Sequence, residues 1–544
     1  MNLVFNTKPE FMKNTIINIF RKNRLILTYG TVAMLSLSAC KESFTELNPL
    51  SSLSESTAFT TPATIELAMN GVYWSAAVGQ YAGAAGRGYP FGAASIEQAE
   101  MRGEDMVNTQ AFFAITYMAT YTTASANNVN HWEQLYALIN QANVFMAGVR
   151  TAGESGVIPS EAAAAYEAEA RLLRALAHHE LLIHFSLPFA DGNGSKPGVP
   201  FRENAINSSA SVEEGLAQGR GTVAETYAKI LTDLDYAESN LPAAHATRIG
   251  RASKVAAIAL KSRVKLHMQD WAGVITEAAK IGADKAPFAS SGDMGNYGLE
   301  ADVETPFTSQ KANKESIFSI ANSAASNPGV NGALANFMGS SDNGAREILS
   351  TSPNLYNAEF WVKGDLRREK LQYMQKTGGF PFSFNHKYRD FGVNGDWAPV
   401  IRYAEVILNA AEANARQGNA AEALAGLNVV RNRAVPTASQ FTSAPADLIQ
   451  AILNERRIEF AGEGRRWPDI HRLVLDQKYS TGGIPGKVEV SQIKNSSFDV
   501  DNGTILPTPL IPAIPYSDYR FLWPIPASET QVNQVLRDQQ NPGY

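Results

Sequence analysis

Twice along the chain, helical segments of three to five turns, apolar on one face, follow one another with only a few residues between. Residues 224–240 set Tyr227, Ile230, Leu231, Leu234 and Ala237 at helix-face spacing, and Leu241-Pro242 ends the run. Residues 253–268 follow with Val255, Ala256, Ala259, Leu260, Val264 and Leu266, and 271–281 starts after Gln269-Asp270. A second set runs 402–417, 420–433 and 447–460, with Gly418-Asn419 as its first turn. Such a stripe can be buried only against a neighbouring helix, and small residues let the backbones approach. The pattern therefore predicts a mainly α fold built on tetratricopeptide-like helical hairpins.

The rest of the chain fits around those sets. Residues 65–73 carry Ile65, Leu67, Ala68, Val72 and Tyr73 at helical spacing, and helices are expected over 132–149 and 160–185. Ser160 followed by Glu161 resembles an N-cap, and Pro188 stops the second of these. Residues 76–94 are rich in Gly and Ala and read as a loop. Residues 285–400 mix Gly, Ser, Asn, Pro and isolated aromatics without a sustained period. An irregular stretch that long points to a functional insertion. Residues 480–544 are also irregular, with six prolines from Pro507 to Pro526 excluding long helices.

The single cysteine lies where targeting chemistry would place it. Lys13, Arg21, Lys22 and Arg24 precede the largely apolar run 25–37, and Ser38 and Ala39 lead into Cys40. Charge, a short apolar run and small residues make a secretory signal, and the run is shorter than the roughly 20 residues of a membrane-spanning helix. Leu37-Ser38-Ala39-Cys40 resembles a bacterial lipobox, whose cysteine is acylated and becomes the new N-terminus; the basic region suits a start at Met12 as well as Met1. The divisions expected are a lipoprotein signal at 1–40, a polar tether at 41–60, an N-terminal helical part at 61–284 and a C-terminal part at 285–544. One cysteine in 544 residues excludes an intrachain disulfide and a multi-Cys zinc site. The net charge is −6, and residues 1–40 hold five basic groups and one acid, so the body is acidic. With no basic stripe, nucleic acid is not an expected partner.

Little in the sequence signals catalysis or a cofactor. His178, His179, Glu180 and His184 invite a zinc reading, but His179 and His184 are five apart, which splays the rings by roughly 140° on a helix. The run 191–195 opens like a calcium loop, yet Arg202 stands where a bidentate Glu is needed, so a turn is expected. Asp469 and His471 sit among Glu455, Arg456, Arg457, Glu459, Glu463, Arg465 and Arg466, a density that reads as an ion-paired knot. No GxSxG, phosphate-binding or dinucleotide-binding glycine motif occurs. No catalytic residue, metal or cofactor is expected. Trp74, Trp132, Trp271 and Trp467 are assigned to core packing.

Several blocks together resemble the SusD/RagB family of outer-membrane nutrient-binding lipoproteins. Glu169 to Ala175 running to Phe185 is similar to that family's long early helix. Asp233 to Ala237, Leu241-Pro242 and Arg251 to Lys254 are similar to its first repeat pair, and Ile401 to Val406 with Ala411 to Ala413 to its second. Val430 to Ala434, Glu455 to Arg457, Arg466 to Asp469, Pro524 to Pro526 and the ending Gln540 to Tyr544 are similar to its C-terminal signature. The resemblance implies a helical scaffold, lipid-anchored through Cys40 and facing the cell exterior. Such a protein binds an oligosaccharide, breaks no bond, and passes it to a SusC-like TonB-dependent barrel. Members that bind peptide, and a surface glycan hydrolase, are the alternatives. By the family's layout the platforms would be Tyr89, Tyr117, Tyr121, Tyr297, Phe337 and Trp397, with Arg102, Asp105 and Asn108 as polar partners.

Overall fold

In the computed structural model, residues 55–81, 84–243, 249–378, 382–503, 505–506 and 508–544 are described. The signal, Cys40 and the tether as far as residue 54 lie outside them, and Glu55–Ala58 forms one helical turn. The chain divides into two units, Met1–Thr57 and Ala58–Tyr544. The second unit is the folded body.

Among its helices are α1 (Pro62–Ala77), α2 (Ala93–Met101), α3 (Ala126–Glu154), α4 (Ser160–Phe185), α5 (Val223–Asn240), α6 (Lys254–His267), α7 (Trp271–Lys280), α8 (Tyr403–Arg416), α9 (Ala420–Arg431), α10 (Leu448–Glu459) and α11 (Arg466–Leu473). Sequence neighbours pack as hairpins: α3 on α4, α5 on α6, α6 on α7, and α8 on α9. Contacts of α4 with α5 join the α3–α4 hairpin to the first repeat set, and those of α7 with α8 join the first set to the second, so these helices form one continuous stack. Local chemistry fixes several starts. Thr222 caps α5 in a reciprocal pair with Glu225, and Ser253, Asp270 and Asp447 accept backbone N–H groups at the starts of α6, α7 and α10. Ser160 is the first residue of α4 and Pro159 its cap position, so the expected Ser160 cap moves back by one. Helix α1 buries Ile65, Met69 and Val72, but Leu67 and Trp74 face outward, Trp74 at 44% exposure. The core role expected for Trp74 is thus corrected: it stands on the face opposite Ile65 and Val72.

The irregular stretch 285–400 folds through strands with distant partners. β1 (Met106–Asn108), β3 (Leu349–Thr351), β4 (Gln372–Met374) and β5 (Ser383–Asn385) form a four-stranded sheet in the order β1-β3-β5-β4. Met106 lies opposite Thr351, and Ser350 opposite Phe384. β2 (Ser316–Ile320) pairs antiparallel with β6 (Ala398–Arg402), which runs directly into α8. The four-stranded sheet brings the 86–121 and 323–395 stretches together.

The charged signature is a buried ion network. Arg402 donates to Glu315, to Glu463 at 2.9 Å and to Glu459 at 3.0 Å, while Arg433 reaches Glu459 at 2.7 Å. Arg367 holds Asp365 at 2.7 Å and Glu455 at 2.5 Å, and Lys387 holds Glu463 at 2.6 Å. Asp469 lies between Arg456 and Arg472, and the His471 ring bonds the Ser186 carbonyl at 2.9 Å. These are structural roles: each charge is desolvated and each has opposite charges to offset that cost. Residues 191–195 form a turn in which Asn193 has positive φ and Asp191 accepts from Tyr516 at 2.8 Å.

Candidate functional site

Eight of the nine side chains expected to bind ligand are packed inside the protein. Tyr89 is buried, its ring edge-on to His131 at 5.9 Å and its hydroxyl accepting from Gln98 at 2.8 Å. Tyr117 donates to the Val488 carbonyl at 2.7 Å, and Tyr121 to the Arg520 carbonyl. Tyr297 is buried with its backbone N–H on the Ser290 hydroxyl, and Phe337 packs edge-on against Phe112 and Phe113 at 5.9 and 5.8 Å. Asp105 is tied to Arg457 at 3.0 Å, and Asn108 is buried on β1. The Arg102 guanidinium carbon lies over Trp467, 3.5 Å from the ring centroid, and burial lowers the Arg102 pKa to about 10. A ring with no open face cannot stack on a sugar, so in this conformation these residues anchor the loops. Trp397 alone is half-exposed, its indole N–H on the Asn322 carbonyl at 2.8 Å.

What those loops do present is a ledge beside Phe337. Phe112 is half-buried above Phe113 and Phe337, with the Arg87 and Arg346 guanidiniums 4.7 and 5.1 Å from its centroid. Asn331 accepts from Arg346 at 2.6 Å, and Asn336 donates to Asn394 at 2.5 Å. Phe391, also half-buried, lies over Gly339, where an added Cβ would come within 2.6 Å of its ring. Arg87 and Arg346 lie over the Phe112 ring, so the ledge offers guanidinium and amide groups together with the half-buried edges of Phe112 and Phe391. A polyhydroxylated ring packs its C–H groups on such apolar surface while its hydroxyls find partners. Nothing in the sequence singled out Phe112 or Arg346. The only local hint is the Phe112-Phe113 pair in a stretch without helical period.

Among the described residues, one cluster has metal-ligand composition. Glu180 and His184 lie one turn apart on α4 and meet His131 from α3, with candidate ligand atoms within 4.8 Å of one another. Yet the Arg102 guanidinium approaches His184 Nδ1 at 3.3 Å, and a donor there leaves the proton on Nε2. Burial and the Arg102 charge depress the His131 pKa to about 3, so the ring is neutral, packed edge-on against His184 and Trp523 at 4.7 and 5.5 Å. A cation would have to share the pocket with Arg102, and the cluster reads as core packing.

These features define a helical-repeat protein whose irregular loops carry its surface aromatic and amide groups. No helix among the described residues is long and apolar enough to cross a membrane. The SusD family model matches residues 354–544, and a second, described as starch-binding associating with outer membrane, matches 56–266. SusD-like protein P2 from Formosa agariphila is 25% identical over 529 residues, covering 88% of this chain and 95% of that protein. A SusD superfamily protein from Bacteroides fragilis superposes with a TM-score of 0.70 at 26% identity, over 88% of this chain and 99% of that one. A SusD-like carbohydrate binding protein from Bacteroides vulgatus shares the fold, with a TM-score of 0.68 at 19% identity over 87% and 97% of the two chains. The chain belongs to the SusD/RagB family, a family of carbohydrate-binding proteins associated with the outer membrane.

Proposed function

We propose that this protein is a cell-surface lipoprotein, anchored through Cys40, that captures a glycan on its loop face and delivers it unchanged to a SusC-like TonB-dependent barrel. The observation that carries the reading is the Phe112 ledge: a half-buried ring with the Arg346 guanidinium over it and Asn331 bonded to that guanidinium, in a family of sugar binders. Trp397 is the further stacking candidate. Capture by a relay calls for modest affinity, because the cargo must be released, and a preformed aromatic surface gives contact area at little ordering cost.

Native gels cast with amylopectin, xylan or alginate test the capture step. The wild-type protein is expected to be retarded by at least one polysaccharide. The Phe112→Ala/Arg346→Ala variant should lose at least tenfold in affinity while keeping its circular dichroism spectrum. Full retention by the folded double variant would place the glycan elsewhere. New reducing ends released from the polysaccharide would instead mark a hydrolase. Co-purification of a large outer-membrane barrel from native membranes tests delivery.

A further inference from the structure

A second recess lies in the C-terminal repeat, lined by none of the Phe112-ledge residues. It is a cleft of about 500 Å3 between the segment 359–362, the end of α9, the connection 436–447 and the first turns of α10. That volume is within the roughly 300–1,000 Å3 range of small-molecule sites. Two half-buried rings, Phe360 and Phe441, line it, and both are fixed from the protein side. Asn428 donates to the Phe441 carbonyl at 2.9 Å, the Arg431 guanidinium lies 4.9 Å from the Phe441 ring, and Arg457 lies 5.3 Å from that of Phe360.

The polar groups narrow the ligand chemistry. Arg431, the cation lining the cleft, is 5% exposed and bonded to Glu455, whose other oxygen takes Arg367. An anionic ligand would therefore have to break a buried ion pair. Asp447 is already committed to Lys478, Tyr479 and the start of α10. Left over are amides one turn apart on α10: Gln450 donates to Asn454 at 3.0 Å, which leaves the Gln450 oxygen as acceptor and the Asn454 NH2 as donor. Buried at the same cleft, Arg431 Nε has no hydrogen-bond partner in the protein. Glu359, exposed at the same cleft, adds a carboxylate that disfavours an anion and can accept from a hydroxyl. Rigid rings, one amide acceptor, one amide donor and no free cation among the lining side chains suit a neutral ring compound bearing hydroxyls.

From this we infer that the α9–α10 cleft is a second saccharide site, for a neutral unit of one or two sugar rings, separate from the Phe112 ledge. Its ligand class rests on the reading of the protein as a glycan binder; its location does not. A second site on the same chain would raise retention of a long polysaccharide through effective concentration without needing tight binding at either place.

Saturation-transfer NMR and calorimetry with cellobiose and maltose, each to 20 mM, on the full chain give the test. The Phe112→Ala/Arg346→Ala variant should still show transfer to at least one disaccharide. Adding Phe441→Ala should cut that signal at least fivefold. Gln450→Ala/Asn454→Ala, two half-exposed side chains at the cleft, should do the same with an unchanged Tm, which keeps the test valid if Phe441→Ala fails to fold. Undiminished binding in the folded Gln450/Asn454 variant overturns the proposal. So does loss of all disaccharide binding in the ledge variant alone. If the wild type is retarded by a polysaccharide but binds neither disaccharide, the cleft is not a sugar site and the ledge reading stands.

Discussion

Among single residues, the most informative are those whose charge the fold suppresses. Glu100 sits fully buried on α2, its carboxyl accepting from the Gly464 N–H at 2.7 Å. Burial, helped by nearby Asp105 and Glu463, raises its pKa to about 8. The folded chain then holds a proton that the unfolded chain releases near pH 4.5, so this group costs stability increasingly as pH rises from 4.5 to 8. Glu104, four residues on, behaves oppositely: burial alone would raise it, but Arg466 and Arg457 outweigh that and hold it down to about 2. Its contribution is present above pH 4.5 and is lost as the solution is acidified toward pH 2. Glu100→Gln keeps the acceptor for Gly464 and removes the titration. The variant should match wild type at pH 4.5 and exceed it at pH 8.5 by a few kcal/mol, on the order of 1.4 per pKa unit. Urea denaturation at both values checks this, and parallel pH profiles of the two proteins would show that Glu100 is ionised in the fold.

Helix packing at the level of elements turns on where a missing side chain is needed. Gly426 on α9 faces Ala411 on α8, and a Cβ there would sit 3.0 Å from that of Ala411. Gly426→Val should wedge the hairpin open and cost about 2 kcal/mol, read as a lower urea midpoint with an unchanged slope. Gly71 on α1 is exposed and meets nothing within 4 Å, so Gly71→Ala should stabilise by about 0.5–1 kcal/mol through helix propensity. Elements of this kind were the legible ones. The 160–185 helix matches its expected limits, and those of both repeat sets match within two residues, because an apolar stripe and a cap are local signals. Helix α3 runs past both ends of the expected 132–149, because buried Asn127, Asn128 and Asn130 carry no apolar periodicity. The strands were not legible: β1 and β3 are three residues each, and their pairing joins Met106 to Thr351 across more than 240 positions.

At the scale of the molecule, the same distance rule explains why the architecture could be read and the site could not. Tyr121 stands in a loop, as expected, while Tyr117 ends a single helical turn, Ala114–Tyr117; the hydroxyls of both end on carbonyls of residues 520 and 488, contacts that only the closed fold creates. The body, Ala58–Tyr544, holds its own core and buried ion network, so its stability should not depend on the anchor. Cys40 lies outside the described residues, and its role is tested in the cell. With an alkyne analogue of palmitate in the medium, the wild-type chain should be labelled and should sediment with the outer membrane. Cys40→Ala should carry no label and leave the membrane fraction on a salt wash, and the purified variant should melt at the same temperature as the purified mature protein. Stable attachment needs more than one acyl chain or a second signal, so losing the acylated cysteine should release the body unless the barrel alone retains it. Repeating the fractionation in a strain lacking the barrel separates those two tethers, and label persisting on Cys40→Ala would refute anchoring at this residue.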